Sequence, residues 1–150
     1  MTSDSELDPA AVEIGRFYPQ SPDAVWQALT EPDLIEQWLL LRSIGFDATV
    51  GTHFIFLIPL KPAGEIAGEV LTSRPGEQLT ITWVDMRAEK PARWVVDWTI
   101  QPQGRGTRLL LTQTGFDITD RRQKMARNAM ERGWKTTLSK LGEVLENGEW

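Results

Sequence analysis

Cysteine is absent from the 150 residues, and histidine occurs once, at His53. Without thiols there is no disulfide framework and no thiolate metal site. One imidazole cannot assemble a two-histidine metal cluster or a nucleophile–base pair. No cofactor and no metal are therefore expected. Positive charge is also in short supply: 16 Lys and Arg stand against 21 Asp and Glu, leaving a net charge of −5. Nucleic acid and anionic membrane both call for a dominant positive field, so neither is expected as a partner. Long apolar runs are missing too. The stretch from Phe54 to Leu60 is broken by Pro59, and it is far shorter than the roughly 20 residues that span a bilayer. Met1 to Pro9 carries Asp4, Glu6 and Asp8 but neither the basic nor the apolar region of a secretory signal. Residues 1–10 read as a disordered leader and residues 11–150 as one domain, with a cytoplasmic location expected.

What is present is 41% hydrophobic side chain, enough for a single substantial core. Apolar residues recur from Ala11 to Tyr18 as in a strand, and Pro19-Gln20-Ser21-Pro22 ends it. Ser21 followed by Pro22 is a helix start, with a capping hydroxyl and a proline at the first helical position. Thr30-Glu31-Pro32-Asp33 repeats that signal, so two short helices are expected after the first strand. Between Ile44 and Phe116 the pattern has period two. Turns at Val50-Gly51, Lys61 to Gly64, Arg74 to Glu77, Glu89 to Pro91 and Gln103 to Gly106 divide it into six strands. No strand–helix–strand crossover interrupts them, which predicts an antiparallel meander. From Thr119 or Asp120 to about Glu146 the period becomes helical. Ala126, Met130, Trp134, Thr137, Leu138, Leu141 and Leu145 form one inward stripe. A stripe of that length requires an equally long apolar partner, and only the concave face of the sheet supplies one. The predicted fold is α+β: seven antiparallel strands curved around a long C-terminal helix, with two short helices after strand one.

This order of elements, together with several strings, resembles the activator of heat-shock-protein (Hsp) ATPase homologue-like family of the START-like, or SRPBCC, superfamily. The strings are Val25-Trp26-Gln27-Ala28-Leu29-Thr30 with Pro32 and Trp38, Phe46-Asp47 before Gly51, and Gln78-Leu79-Thr80-Ile81-Thr82-Trp83. Gly106-Thr107-Arg108-Leu109, Thr114-Gly115-Phe116 and Gly133-Trp134 complete them. The resemblance implies a helix-grip fold with a cavity between helix and sheet. It also implies a range of roles: carriage of hydrophobic ligands, polyketide cyclisation and chaperone regulation. The chain departs from the family pattern at Leu39, Thr52 and Gln113, where the family often has tryptophan, glycine and histidine.

Strand alternation assigns side chains to the two faces of the sheet. With Leu79, Ile81 and Trp83 inward, the same parity turns Phe54, Phe56 and Ile58 inward, then Trp94, Val96, Trp98 and Ile100, then Leu109, Leu111 and Gln113. Met130, Trp134 and Leu138 face them from the helix, and Trp38 is added from the second short helix. These side chains form a core, and within it the candidate pocket lining is Trp38, Phe54, Phe56, Ile58, Ile81, Trp83, Trp94, Val96, Trp98, Leu111, Gln113, Met130, Trp134 and Leu138. The signal for a pocket is the excess of indoles, 7 in all. Each pairs a flat apolar wall with an N–H that wants an acceptor, which suits a planar or aromatic, weakly polar ligand.

No catalytic residues are assigned. His53 points away from the interior by parity. Asp47, Glu69, Asp85 and Asp97 read as strand-face or turn charges, and the basic residues of the last helix as its outer face, with Arg127, Glu131 and Lys135 at supporting i, i+4 spacing. The inventory points to noncatalytic binding of a small hydrophobic molecule. A chaperone-regulating module and a cyclase-like enzyme using Gln113 or a carboxylate such as Asp97 are the alternatives. Ile55 and Leu57, with Leu71 and Val84, fall on the outer face and suggest a homodimer interface.

Overall fold

The computed structural model describes residues 8–150. The expected leader otherwise falls outside the described residues. Asp8 to Ala10 form a turn in which Ala10 N–H donates to the Asp8 carboxylate at 2.9 Å and Ala11 N–H to the Asp8 carbonyl at 3.0 Å.

β1 (Val12–Tyr18) buries Val12, Ile14 and Tyr18 and leaves Glu13, Gly15 and Phe17 outside. α1 (Pro22–Thr30) starts as its sequence predicts. Ser21 Oγ accepts from Ala24 N–H at 3.2 Å, and Pro22 fills the first helical position. α2 (Pro32–Leu39) starts one residue later than the capping signal at Thr30 suggests. Glu31 is its N-cap and makes no side-chain bond, while Thr30 Oγ1 donates to the Trp26 carbonyl at 2.7 Å and closes α1. Pro32 is the cause, because a residue before proline is driven out of the helical region. Glu31 accordingly sits at φ −81°, ψ 121°.

Six strands follow: β2 (Arg42–Ile44), β3 (His53–Ile58), β4 (Gly64–Arg74), β5 (Gln78–Asp85), β6 (Trp94–Gln103) and β7 (Gly106–Thr114). With β1 they make one antiparallel sheet in the order β1-β7-β6-β5-β4-β3-β2, so β1 and β2 are its edges. The count of seven agrees with the sequence reading, but the first meander strand ends at Ile44 instead of beginning there. Gly45, at φ 76°, turns the chain. Phe46 then drops into the core, its ring centre 5.1 Å from that of Phe54. A bulge between Val70 and Thr72 bends and twists β4. Gly68 lets the Phe54 ring lie flat across that strand, where a β-carbon would collide with it.

α3 (Arg121–Asn147) lies over the inward face of this sheet. Asp120 caps it, accepting from Arg122 N–H at 2.8 Å. Trp134, Leu138, Leu141 and Leu145 are buried, and Ala126, Met130 and Thr137 are half-buried toward the helix start and rim. Three side chains tie α3 to the β1 segment by hydrogen bonds, in matching order along both elements. Arg127 Nη2 donates to the Ala11 carbonyl at 2.7 Å, Arg16 Nη2 to the Lys135 carbonyl at 3.2 Å, and the Tyr18 hydroxyl to the Leu138 carbonyl at 2.6 Å. The anticipated i, i+4 pairs are formed, Arg127–Glu131 at 2.9 Å and Lys135–Glu131 at 3.9 Å.

Burial raises the Tyr18 phenol well above its ordinary pKa, against a smaller lowering by the charge of Arg16. Below the ordinary phenol value of about 10, folded and unfolded chains both hold the proton and pH has no leverage here. Above it only the unfolded chain ionises, so stability falls as pH rises toward the folded-state value. The chain contains 1 tyrosine, so tyrosinate absorbance reports this group alone. It should appear together with alkaline unfolding and not before. A simple titration near pH ~10 with the fold intact would contradict the buried hydrogen bond.

Candidate ligand-binding site

Every inward residue named from strand alternation is buried except Ile58, which is half-buried at the end of β3; on the helix, Met130 is half-buried at the rim. The aromatic ones other than Trp94 join Phe46 and Trp38 in a continuous chain of seven rings. Phe46 meets Phe54 at 5.1 Å, Phe54 meets Phe56 at 4.9 Å, and Phe56 meets Trp83 at 5.9 Å. Trp83 then meets Trp134 at 5.4 Å, Trp134 meets Trp98 at 5.9 Å, and Trp98 meets Trp38 at 6.3 Å. The indole contacts are edge-to-face, the arrangement that brings the positive edge of one ring to the negative face of the next. Where the family resemblance implies a cavity between helix and sheet, the indoles of Trp83, Trp98 and Trp134 therefore pack against one another. Trp94 is buried on the same face, but its ring meets Phe116 at 4.6 Å in a tilted contact and stands apart from this chain.

The open space lies at the margin of the grip. An apolar depression of about 190 Å³ is lined by Leu39 and Leu41, by Trp83, and by Ala129, Met130, Gly133, Trp134 and Thr137. Its outer wall is the strap between α2 and β2. Leu40, between the two lining leucines, caps α2 in the left-handed region at φ 61° and is exposed. A wider cleft of about 540 Å³ lies between the β5–β6 loop and the start of α3. It mixes Asp85, Lys90, Asp120 and Arg122 with Trp94, so charges of both signs line it.

Polar groups inside the grip are few. Gln113 is fully enclosed, and its Oε1 accepts from Trp134 Nε1 at 2.7 Å. Trp38 Nε1 donates to the Ala28 carbonyl at 2.7 Å, so its ring is satisfied within the helical layer. Gln113 Nε2, Trp98 Nε1 and Trp94 Nε1 are buried without partners. A buried donor left unpaired costs about 1–3 kcal/mol, which makes such groups candidates for a function.

Asp97, weighed from sequence as a pocket carboxylate, is on the other side of the sheet. It lies between inward Val96 and Trp98 and so turns outward, accepting from Gln78 Nε2, Thr80 Oγ1 and Thr99 Oγ1 at 2.7, 2.6 and 2.8 Å. Asp85 is held by Arg87, which bonds both its oxygens at 3.0 and 2.6 Å and keeps its carboxyl below the usual range. Glu69 also turns outward, and His53 and Asp47 are exposed. Among the described residues no Asp or Glu is buried, so the carboxylate arm of the cyclase-like alternative has no buried base. Ile55 and Leu57 occupy the outer face, half-buried. Sequence reasoning did not single out Gly133 or the Leu39–Leu41 strap as parts of a site.

A curved antiparallel sheet wrapped on a long C-terminal helix, with two short helices after the first strand, is the helix-grip architecture of START-like proteins. The family described as "Activator of Hsp90 ATPase homolog 1-like protein" matches residues 19–146, and the chain belongs to it. Among solved structures, protein MLL2253 from Mesorhizobium loti is 31% identical, with a TM-score of 0.81 over 93% of this chain and 99% of that one. CalU16 from Micromonospora echinospora is 28% identical, with a TM-score of 0.70 over 91% and 76%. DynU16, from the dynemicin biosynthetic locus, shares the fold at 20% identity and a TM-score of 0.75, over 93% of this chain and 48% of its own. No curated protein sequence matches the chain.

Trp134→Ala should lower stability by about 3–5 kcal/mol in chemical denaturation, because a large enclosed ring is replaced by a void. Trp134→Phe should cost less, about 1–3 kcal/mol, since the ring contacts persist while Gln113 Oε1 loses its donor. An unchanged midpoint for the alanine variant would show that α3 does not sit in this register.

Proposed function

We propose that the protein binds a small, planar, largely apolar molecule without transforming it. The molecule would sit at the depression between the α2–β2 strap and α3, with the indoles of Trp83 and Trp134 as its floor. Gly133 carries this reading. A glycine inside a helix costs about 0.5–1 kcal/mol relative to alanine, and such residues are normally explained by a close neighbour. Here a β-carbon at position 133 would meet nothing within 4 Å, and the residue lines the depression beside Trp134. What the missing side chain leaves is access to the face of the floor. Met130 adds a flexible, polarizable rim that can repack around different shapes. An apolar recess with aromatic walls and few polar groups is the usual form of a small-molecule site.

Titration with planar aromatic hydrocarbons and with fatty acids, followed by tryptophan emission, tests the reading. A saturable change is expected for the flat compounds. Gly133→Leu should abolish it while leaving thermal stability equal or higher, because the new side chain fills the recess and removes a helix glycine. No saturable response to any compound, or undiminished binding by Gly133→Leu, would end the proposal.

A second reading concerns a partner of the same chain. Ile44, Ile55, Ala67 and Val84 stand directly opposite one another across β2, β3, β4 and β5, which makes an apolar row on the outer face with Leu57 in the adjoining position. Two copies meeting on this row would form a dimer, and sedimentation should show it. Ile55→Lys should give a monomer of unchanged fold. A wild-type chain that stays monomeric at high concentration would rule this pairing out.

A further inference from the structure

α3 carries a charge that the rest of the molecule does not share. From Arg121 to Lys140 seven Lys and Arg stand against one acid, Glu131, in a chain whose net charge is −5. Glu131 is already engaged, by Arg127 at 2.9 Å and Lys135 at 3.9 Å. Among the described residues no carboxylate pairs with Arg121, Lys124 or Arg132. At 3.6 residues per turn, Arg121, Lys124, Asn128, Arg132, Lys135 and Ser139 fall on one side of the helix, three or four positions apart. All six are exposed. They make a ridge about 27 Å long, distinct from the side of α3 that lines the depression with Ala129, Met130, Gly133 and Thr137.

Width decides what such a ridge can hold. A bilayer and a nucleic-acid duplex are broad anionic surfaces. Laid on the ridge, either would press its phosphates toward exposed acids at both ends, Asp117 and Asp120 before it and Glu143 and Glu146 after it. A polypeptide segment is no wider than α3 and touches the ridge alone, with the acids of the rest of the chain screened by salt beyond about 8 Å. We propose that this ridge docks an acidic segment of another protein, laid along α3. Carboxylates of the segment take Lys124 and Arg132 at its centre, where the Arg132 guanidinium can hold one by two parallel bonds. Asn128 and Ser139 add neutral hydrogen-bonding groups between and beyond them. A single exposed ion pair contributes little, so affinity depends on several forming together, and a helix that holds its cations at fixed spacing provides for that.

A labelled helical peptide of alanine and glutamate, about 18 residues long to match the ridge, tests the proposal by fluorescence anisotropy with the full chain. It should bind at low salt and several-fold more weakly as ionic strength rises from roughly 50 to 200 mM. Its glutamine counterpart should not bind. Lys124→Glu/Arg132→Glu should weaken binding by about tenfold or more, and Lys124→Gln/Arg132→Gln should fall between it and wild type. Arg105→Glu/Arg108→Glu, exposed at the β6–β7 turn and on β7, changes the net charge equally and should leave binding unaltered. Circular dichroism checks that each variant folds; should the reversed pair not fold, the glutamine pair decides. Absence of peptide binding at low salt, or equal loss in the ridge and β7 variants, overturns the proposal. So does tighter binding of a DNA duplex or of phosphatidylglycerol vesicles than of the acidic peptide.

Discussion

The bond from Trp134 to Gln113 sets how the two layers of this protein fit together. α3 presents a large ring to an apolar surface, and that ring brings an N–H that hydrocarbon cannot satisfy. Gln113, fully enclosed on β7, supplies the acceptor. Sliding α3 by one turn, about 5.4 Å, would break this bond and part Trp134 from both Trp83 and Trp98. The hydrogen bonds between the β1 segment and α3 set the same register independently along the neighbouring edge. The helix is thus fixed by directional contacts at several points as well as by its greasy stripe.

A consequence is that the centre of the grip is dense and its margin open. Rings that meet edge to face at 5.4 to 6.3 Å leave little between them, and the open space lies at the mouth where the indole floor reaches the surface. There the sheet no longer covers α3, and the α2–β2 strap comes close without sealing the gap. A molecule bound at this place would meet an indole floor already fixed by the fold, with Met130 the adaptable part of its rim.

Much of this architecture was legible in the residues. Alternation along four strands assigned the inward face correctly, because period two in an antiparallel sheet with one buried side leaves no other solution. The helix stripe, its Asp120 cap and the ion pairs of Glu131 were readable for the same local reasons. What alternation cannot say is whether inward rings enclose a space or fill it. Trp83, Trp94 and Trp98 share a parity, yet Trp94 pairs with Phe116 and the other two meet Trp134. That outcome depends on rotamers and on residues 20 to 50 positions away. The end of β2 was misplaced because Phe46 looks like a strand residue, and the turn at Gly45 that carries it into the core is not marked by polar neighbours. The hydroxyl and amide partners of Asp97 sit on β5 and β6, and only register brings them opposite.

Several departures from local rules lie near the depression, while Trp94 Nε1, Gln20 Oε1 and Ser43 Oγ are buried without partners away from it. Gly133 sits inside α3 where no neighbour requires a missing side chain, and Leu40 holds a left-handed conformation that costs a residue with a β-carbon roughly 1–2 kcal/mol. Gln113 and Trp98 keep buried hydrogens without acceptors. The first two sit at or beside the same depression, and the last two contact Trp134, which forms its wall. Elsewhere α1 and α3 carry side-chain caps, strands alternate apart from the β4 bulge, and no Asp or Glu among the described residues is buried. A sequence free to optimise stability alone would relieve such costs independently of one another, for example with alanine at 133 and glycine at 40. Gly133 and Leu40 keep theirs at the margin of the grip, where the fold leaves its indole floor open.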